Sequence, residues 1–155
     1  MVIPGIVPPV VPACSCHAVE VTQPDYLVQA ELTRAGFDYS PDAILVVDSG
    51  GVIRAANEQA RMLTGRTQAD LIDQPVETLV PAGLRDRHAT HRSDYLLNPR
   101  RRLMGSNLEL AILQRVGAAE RPVAVDVNLA PASISIGVVV VATIRQRGAS
   151  RWTDD

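Results

Sequence analysis

The sequence predicts an α+β fold, in which a five-stranded antiparallel sheet carries short helices on one face and follows an N-terminal helix and a disordered tail. Two observations predict the sheet. Two β-branched runs, 43–48 and 52–56, flank a Gly-Gly turn, and three later segments alternate in hydrophobicity with a period of two residues. A third observation predicts the helices, because residues 57–97 carry cap residues at helix spacing. The 155 residues suffice for one compact domain with a tail.

Residues 1–24 have the composition of a flexible tail that is rich in Pro and Val. Cys14, Cys16 and His17 form a C-x-C-H sequence, which is too short for c-type haem attachment and lacks a nearby fourth metal ligand. Two cysteines this close together cannot staple a fold. We therefore expect reduced thiols and a cytoplasmic protein.

Residues 25–36 are predicted to form an amphipathic helix. Its apolar side chains recur at helical spacing, at Leu27, Ala30, Leu32 and Ala35. Gly36 is a residue at which helices commonly end, so the helix is expected to stop there.

The folded domain is predicted to span residues 37–147 and to open with a hairpin. Pro41 lies in a turn before the β-branched strand 43–48, and Gly50 and Gly51 connect that strand to the strand 52–56.

A series of short helices follows the hairpin. Asn57 can cap a helix over 58–63, and Gly65 can close it in the left-handed conformation. Thr67 and Asp70 have the spacing of a capping box, and Pro75 can start a further helical turn. A longer polar helix is predicted over 83–97, before Asn98-Pro99.

The C-terminal third predicts three more strands. Apolar residues alternate with polar or small residues around 108–112, 123–129 and 136–144. The connections between these segments are short, so neighbouring strands are expected to pair as an antiparallel meander. Residues 148–155 are predicted to be a C-terminal tail.

The order of these segments, with the residues they contain, resembles a PAS domain, a small sensory and interaction module. Four segments carry the resemblance: the opening strand 40–48, the turn-strand-cap 51–57, the helix 60–65 that ends in L-x-G, and the D-L-I-x-x-P segment 70–75. The resemblance implies that Asn57 and Gly65 are structural, Asn57 by capping a helix while it bonds the hairpin.

A PAS fold also implies a pocket between the small helices and the inner face of the sheet. Inward strand residues would line it, or would simply fill the core. The candidates are Leu108, Leu110, Ile112, Val125, Val127, Ile136, Val138 and Val140.

The cofactor is left open by the sequence. The 85–88 segment resembles the one that bears the proximal haem ligand in haem-PAS oxygen sensors, which makes His88 a candidate axial ligand. The interpretation that the residues favour over haem is that His88 has a surface or structural role and that no cofactor is bound. A flavin is the third possibility, without a covalent photoadduct, because both cysteines lie in the tail.

Other function classes are disfavoured by composition and motifs. The net charge is -2 and the run Arg100-Arg101-Arg102 is expected in a solvated loop, so no nucleic-acid partner is expected. No apolar run is long enough to span a membrane. We find no metal-ligand spacing and no nucleophile or phosphate-loop motif, and therefore predict no metal site and no enzyme.

The sequence thus predicts a non-catalytic sensory module of bacterial signal transduction. It would bind a small apolar ligand or a partner protein and form a homodimer. One alternative is a haem sensor of gas or redox state that uses His88. The other is a ligand-free homodimerisation module, in which the 25–36 helix and the outer sheet face at Val139 and Val141 would bury against a second copy.

Overall fold

The structure is a computed structural model that describes residues 23–104 and 108–148. It contains four α-helices, two short 3-10 helices and six strands within those ranges. In chain order they are α1 (Gln23–Asp38), β1 (Ala43–Asp48), β2 (Ile53–Ala56), α2 (Glu58–Thr64), α3 (Gln68–Leu71), the 3-10 helices Val76–Leu79 and Ala82–Leu84, α4 (Arg85–Leu97), β3 (Arg102–Met104), β4 (Ala111–Val116), β5 (Ala119–Ile134) and β6 (Gly137–Gln146). Cys14, Cys16 and His17, and nearly all of both predicted tails, lie outside the described residues.

The six strands form an antiparallel sheet in the order β2-β1-β6-β5-β3, with β4 also paired to β5. β5 is long enough to pair with two strands on one edge. Its residues 119–124 pair with β4 and its residues 127–129 pair with β3. The sheet is therefore five strands wide, as predicted, although it contains six strands. The expectation that the whole 100–102 run lies in a loop is wrong, because Arg102 opens β3 and pairs with Leu129.

The core lies between one face of the sheet and the short helices. Register brings Leu45 of β1 beside Ala142 of β6, and both side chains are buried. Ile53, Leu71 and Leu79 are fully buried in the same cluster. Burying a side chain of this size contributes about 1.5–3 kcal/mol, so this cluster is the main source of stability for the fold.

The helix caps follow the sequence prediction. The Asn57 side chain caps α2, Gly65 ends that helix with φ 65°, and Thr67 and Asp70 form a complete capping box at α3. No helix of the described ranges is long and apolar enough to cross a membrane.

The N-terminal helix is longer than predicted, and the expected stop at Gly36 is wrong. α1 continues to Asp38, and its final carbonyl groups find partners there. The carbonyl oxygen of Phe37 accepts a hydrogen bond from Asn57 Nδ2 at 3.0 Å. This contact satisfies one of the carbonyl groups that a helix end otherwise leaves unpaired.

Candidate functional site

The predicted pocket residues fall into two groups. Ile112, Val125 and Val140 are buried, and Leu110 and Val127 are partly buried against the core cluster. Val138 is half-buried. These positions lie where the inward-facing prediction put them, and their role in ligand binding stays a prediction.

For two of the pocket candidates, Leu108 and Ile136, the predicted inward-facing position in a strand is wrong. Leu108 is 45% exposed and precedes β4, and Ile136 is 65% exposed in the turn between β5 and β6. In both places the two-residue alternation of apolar side chains extends beyond the end of the strand, so the sequence pattern included Leu108 and Ile136 in the predicted strands. Hydrogen-bonded pairing ends earlier, at Ala111 and at Gly137.

Asn57 is a buried polar hub that joins three elements. Its Oδ1 accepts from the amide nitrogens of Ile44, at 2.8 Å, and of Ala60, at 3.0 Å. Its Nδ2 donates to the carbonyl oxygens of Phe37 and Asp42, at 3.0 and 2.9 Å. The side chain thereby fills its hydrogen-bonding capacity and ties the end of α1 and the start of β1 to the start of α2.

Gly65 is required by space as well as by conformation. Its φ of 65° lies in the left-handed region, and a Cβ at this position would overlap the backbone carbonyl oxygen of Arg115 in β4. The absence of a side chain therefore lets the end of α2 contact the sheet directly.

Glu77, in the first 3-10 helix, is the centre of a polar cluster that holds α4. Its Oε1 lies 3.0 Å from Nδ1 of His88 and accepts a hydrogen bond from Nε of Arg92 at 2.9 Å. Partial burial by itself would raise the pKa of Glu77, but the hydrogen bonds from Arg92 and His88 outweigh it and lower that pKa below its ordinary value. The carboxylate is therefore charged at neutral pH.

The same cluster reaches the β1–β2 turn. Nη1 of Arg92 lies 3.5 Å from the carbonyl oxygen of Ser49, and its guanidinium occupies the space that a side chain at Gly51 would take. No residue of α4 is buried. Polar contacts, more than apolar packing, therefore fix this helix on the domain.

His88 meets one of the two requirements of an axial haem ligand. A carboxylate at Nδ1 is the partner that a coordinating imidazole normally has. The His88 side chain is 40% exposed, however. The described residues around it thus do not form the apolar enclosure that a haem needs. Among the described residues, no group of three His, Cys, Asp or Glu side chains could hold a metal ion.

Glu77 was not among the functional residues predicted from the sequence. It lies 11 residues before His88, too far to be paired by helix spacing, and only the packing of α4 on the 3-10 helix brings the two together. An acidic residue that follows Pro75 at the start of a helical turn was the available signal.

One face of α1 lies over the outer face of the sheet. An apolar groove of about 560 Å³ separates them. It is lined on the sheet by Val46 and Ala55 and on the helix by Gln29, Ala30, Thr33, Arg34 and Phe37. At about 100° per residue, the side chains of Val28 and Leu32 lie on the opposite face of α1, and that of Leu27 lies at the flank of the helix. All three are more than half exposed.

The outer sheet face is less open than the sequence indicated. Val141 is half-buried and pairs with Val46, a groove residue. Val139 was expected to be an exposed apolar residue, and it is buried within the described chain. It lies in the interior strand β6, paired with Asp48 of β1 and Ala132 of β5.

Comparison with known proteins gives a consistent result. A family model described as "PAS fold" matches residues 37–144. An uncharacterised protein from Azorhizobium caulinodans is 32% identical over 93 residues, which are 59% of this chain and 13% of that protein. The chain thus spans a small part of that relative's length.

Two solved structures show the same fold. The PAS domain of an HTR-like protein from Haloarcula marismortui has a TM-score of 0.62 at 20% identity, over 79% of this chain and 97% of that one. The PAS domain of the RpfR quorum-sensing receptor from Cronobacter turicensis, in complex with C12:0, has a TM-score of 0.50 at 12% identity, over 70% of this chain and 95% of that one.

Proposed function

This chain belongs to the PAS fold family, whose members are typically sensors in signal transduction, and we propose that it is a non-catalytic sensory module that works as a homodimer. The single observation that carries the dimer is the exposed apolar face of α1. Val28 and Leu32 are 53% and 62% exposed on that face. An exposed apolar strip of this kind normally has a cover.

The occupant we propose for this strip is α1 of a second copy. Val28, Leu32 and Ala35 follow one another at spacings of four and three residues, which is the spacing of a seam between two packed helices. The opposite face of α1 lies over the groove on its own sheet. The helix can therefore pack against α1 of a second copy while it stays in place on its own domain. A change at the sensor domain would then reach the partner through α1.

Light scattering and sedimentation over a range of protein concentrations test this proposal. The double variant Val28→Glu/Leu32→Glu is expected to be monomeric where the unaltered chain is dimeric. Met62→Glu, at a residue of α2 that is 64% exposed, is the matched control and should leave the dimer intact. A monomer for the unaltered chain, or a dimer that survives the double substitution, would reject the α1 interface.

A second function, the binding of a small apolar ligand, is favoured by the position of α4. This helix has no buried residue, and Val127 and Leu129 of β5 are incompletely buried beside the core. A ligand that entered between α4 and the sheet would complete their burial. The Cronobacter relative was solved with C12:0, and that compound is a suitable first probe.

Native mass spectrometry and thermal unfolding with C12:0 test the ligand. We expect a one-to-one adduct and a raised Tm, both lost in Leu129→Trp, which fills the space, and both kept in Met62→Trp. No adduct, or the same adduct in both variants, would count against this site.

A visible absorbance spectrum of the same sample tests the haem alternative. A haem absorbance band that is present in the unaltered chain and absent in His88→Ala would support His88 as the axial ligand, and a band that His88→Ala leaves unchanged would reject it.

A further inference from the structure

A polar cavity lies apart from α1, from α4 and from the core cluster. Its volume is about 290 Å³, and it lies between the 66–78 segment and β4. The residues that line it are Arg66, Ala69, Asp70, Gln74, Thr78 and Arg115. All but Ala69 have polar side chains, which is unusual for a gap that only results from imperfect packing of a small domain.

Arg66 is buried in the wall of this cavity with one donor unused. Its side chain is 8% exposed, and its Nη2 donates to Glu120 Oε1 at 2.5 Å and reaches the carbonyl oxygen of Thr78 at 3.5 Å. Its Nε is buried without a hydrogen-bond partner among the described residues. Buried donors are nearly always paired, so an acceptor is expected beside this one.

The second guanidinium in the wall is also incompletely used. Arg115 donates through Nη1 to Asp70 Oδ2 at 3.2 Å, and its Nε lies 3.9 Å from Glu120 Oε1. A guanidinium carries five N–H donors in a planar fork that matches the oxygens of a carboxylate or a phosphate. The wall thus presents two guanidinium groups and the carboxylate of Asp70, and the carboxylate of Glu120 lies behind both guanidinium groups, which keep donors that neither carboxylate uses.

We propose that this cavity binds a small oxyanion, a carboxylate or phosphate group of a metabolite. The anion would accept hydrogen bonds from Arg66 and Arg115, with the exposed amide of Gln74 at the entrance. A small rotation of the Arg66 guanidinium would bring its Nε onto the anion. The volume is near the lower limit of ligand pockets, about 300 Å³, so a metabolite of few atoms fits best.

The site lies where the end of α2 already contacts β4, through Gly65 and through the hydrogen bond from Gln114 to the carbonyl oxygen of Leu63. Arg66 follows the end of α2, and Arg115 is the β4 residue whose carbonyl oxygen faces Gly65. An anion that binds both guanidinium groups would therefore tighten the contact of α2 with β4. This binding is independent of the proposed dimer and of a ligand under α4.

NMR titration of the full chain tests the proposal, with inorganic phosphate and with succinate as separate probes and sodium chloride at matched ionic strength as the reference. We expect saturable shifts confined to residues 66–78 and 114–116. The probe with the lower Kd identifies the preferred anion, phosphate or carboxylate.

Three variants test whether the anions bind at this cavity or are attracted to arginine side chains in general. Arg115→Gln should weaken binding about tenfold or more, which is the scale of one lost charged hydrogen bond. Arg66→Lys keeps the charge, loses Nε and should weaken it similarly. Arg121→Gln alters an arginine of β5 that does not line the cavity and should bind like the unaltered chain. Absence of saturable shifts with both probes, or equal affinity in Arg115→Gln and Arg121→Gln, would overturn the proposal.

Discussion

The side-chain oxygen of Asn57 accepts a hydrogen bond from the backbone amide of Ile44, 13 residues earlier in the chain, at 2.8 Å. The same oxygen accepts from Ala60 in the first turn of α2. A single amide group therefore fixes the start of a helix against the start of the central strand β1. Its two remaining hydrogen bonds, to the carbonyl oxygens of Phe37 and Asp42, complete a buried junction.

Replacing Asn57 by Ala is expected to lower the free energy of unfolding by about 2–4 kcal/mol. The substitution leaves four backbone groups without their side-chain partner, and the loss of a hydrogen bond to a buried group costs about 1–3 kcal/mol. Urea denaturation measures the change. Asn98→Ala, at the exposed end of α4, is the control and should change stability by less than about 0.5 kcal/mol. Similar losses in the two variants would contradict the role of Asn57 as a junction.

Gly65 and Gly117 form a matched pair for a second prediction. Both are left-handed, with φ 65° and 62°, but only at Gly65 would a Cβ overlap backbone atoms. Both alanine variants carry the conformational penalty, about 1–2 kcal/mol. Gly65→Ala should lose a further 1–3 kcal/mol, roughly the range for overpacking. Equal unfolding free energies for the two variants would show that contact with Arg115 is unimportant.

The stabilising effect of Glu77 should depend on pH. Its pKa is lowered in the folded state despite partial burial, because Arg92 and His88 bind the carboxylate. A carboxyl group with a lowered pKa contributes its full stability above its unfolded pKa, about 4.3, and loses it as the pH falls through the lower folded value.

Denaturation of Glu77→Gln and of the unaltered chain between about pH 7 and pH 2.5 measures this effect. The unaltered chain should be the more stable at pH 7, and the difference should shrink below about pH 4. Glu31→Gln, on the exposed surface of α1, is the control and should follow the unaltered chain throughout. A difference that stays constant over the whole range would rule out the charge of Glu77 as its source.

Arg92 should control the local opening of α4. The helix has no buried residue, so loss of the Arg92 contacts to Glu77 and Ser49 is expected to free it while the core stays folded. Hydrogen exchange of Arg92→Gln should show faster exchange in α4, with β1 unchanged. Arg87→Gln, on the same helix and exposed, should leave the exchange in α4 nearly unchanged. Uniform acceleration in both elements would indicate global destabilisation instead.

Local signals in the sequence predicted most of the fold. The helix caps at Asn57 and Gly65 and the Thr67–Asp70 capping box each involve residues only a few positions apart, so their spacing in the sequence identifies them directly. The strands were found because their core faces require strict alternation. This explains why the family resemblance was carried by the segment that contains these residues, and why the family match confirms it.

Features that depend on contacts distant in sequence were missed or misplaced. β3 has three residues, all partly or fully exposed, and therefore lacks an apolar pattern. α1 passes Gly36 because Asn57, twenty residues after Phe37, supplies a partner for its last turn. Glu77 meets His88 only when α4 packs on the 3-10 helix, and the Arg66 cavity requires the pairing of β4 with β5.

The bond from Asn57 to Phe37 has a mechanical consequence. Force applied along α1 reaches the Asn57 side chain, which transmits it to the first turn of α2 through Ala60 and to β1 through Ile44. A twist or displacement of α1 would therefore act on α2 and on β1 at the same residue, because Asn57 is hydrogen-bonded to all three elements. A displacement in either layer would likewise reach α1 through the hydrogen bond from Asn57 to the carbonyl oxygen of Phe37.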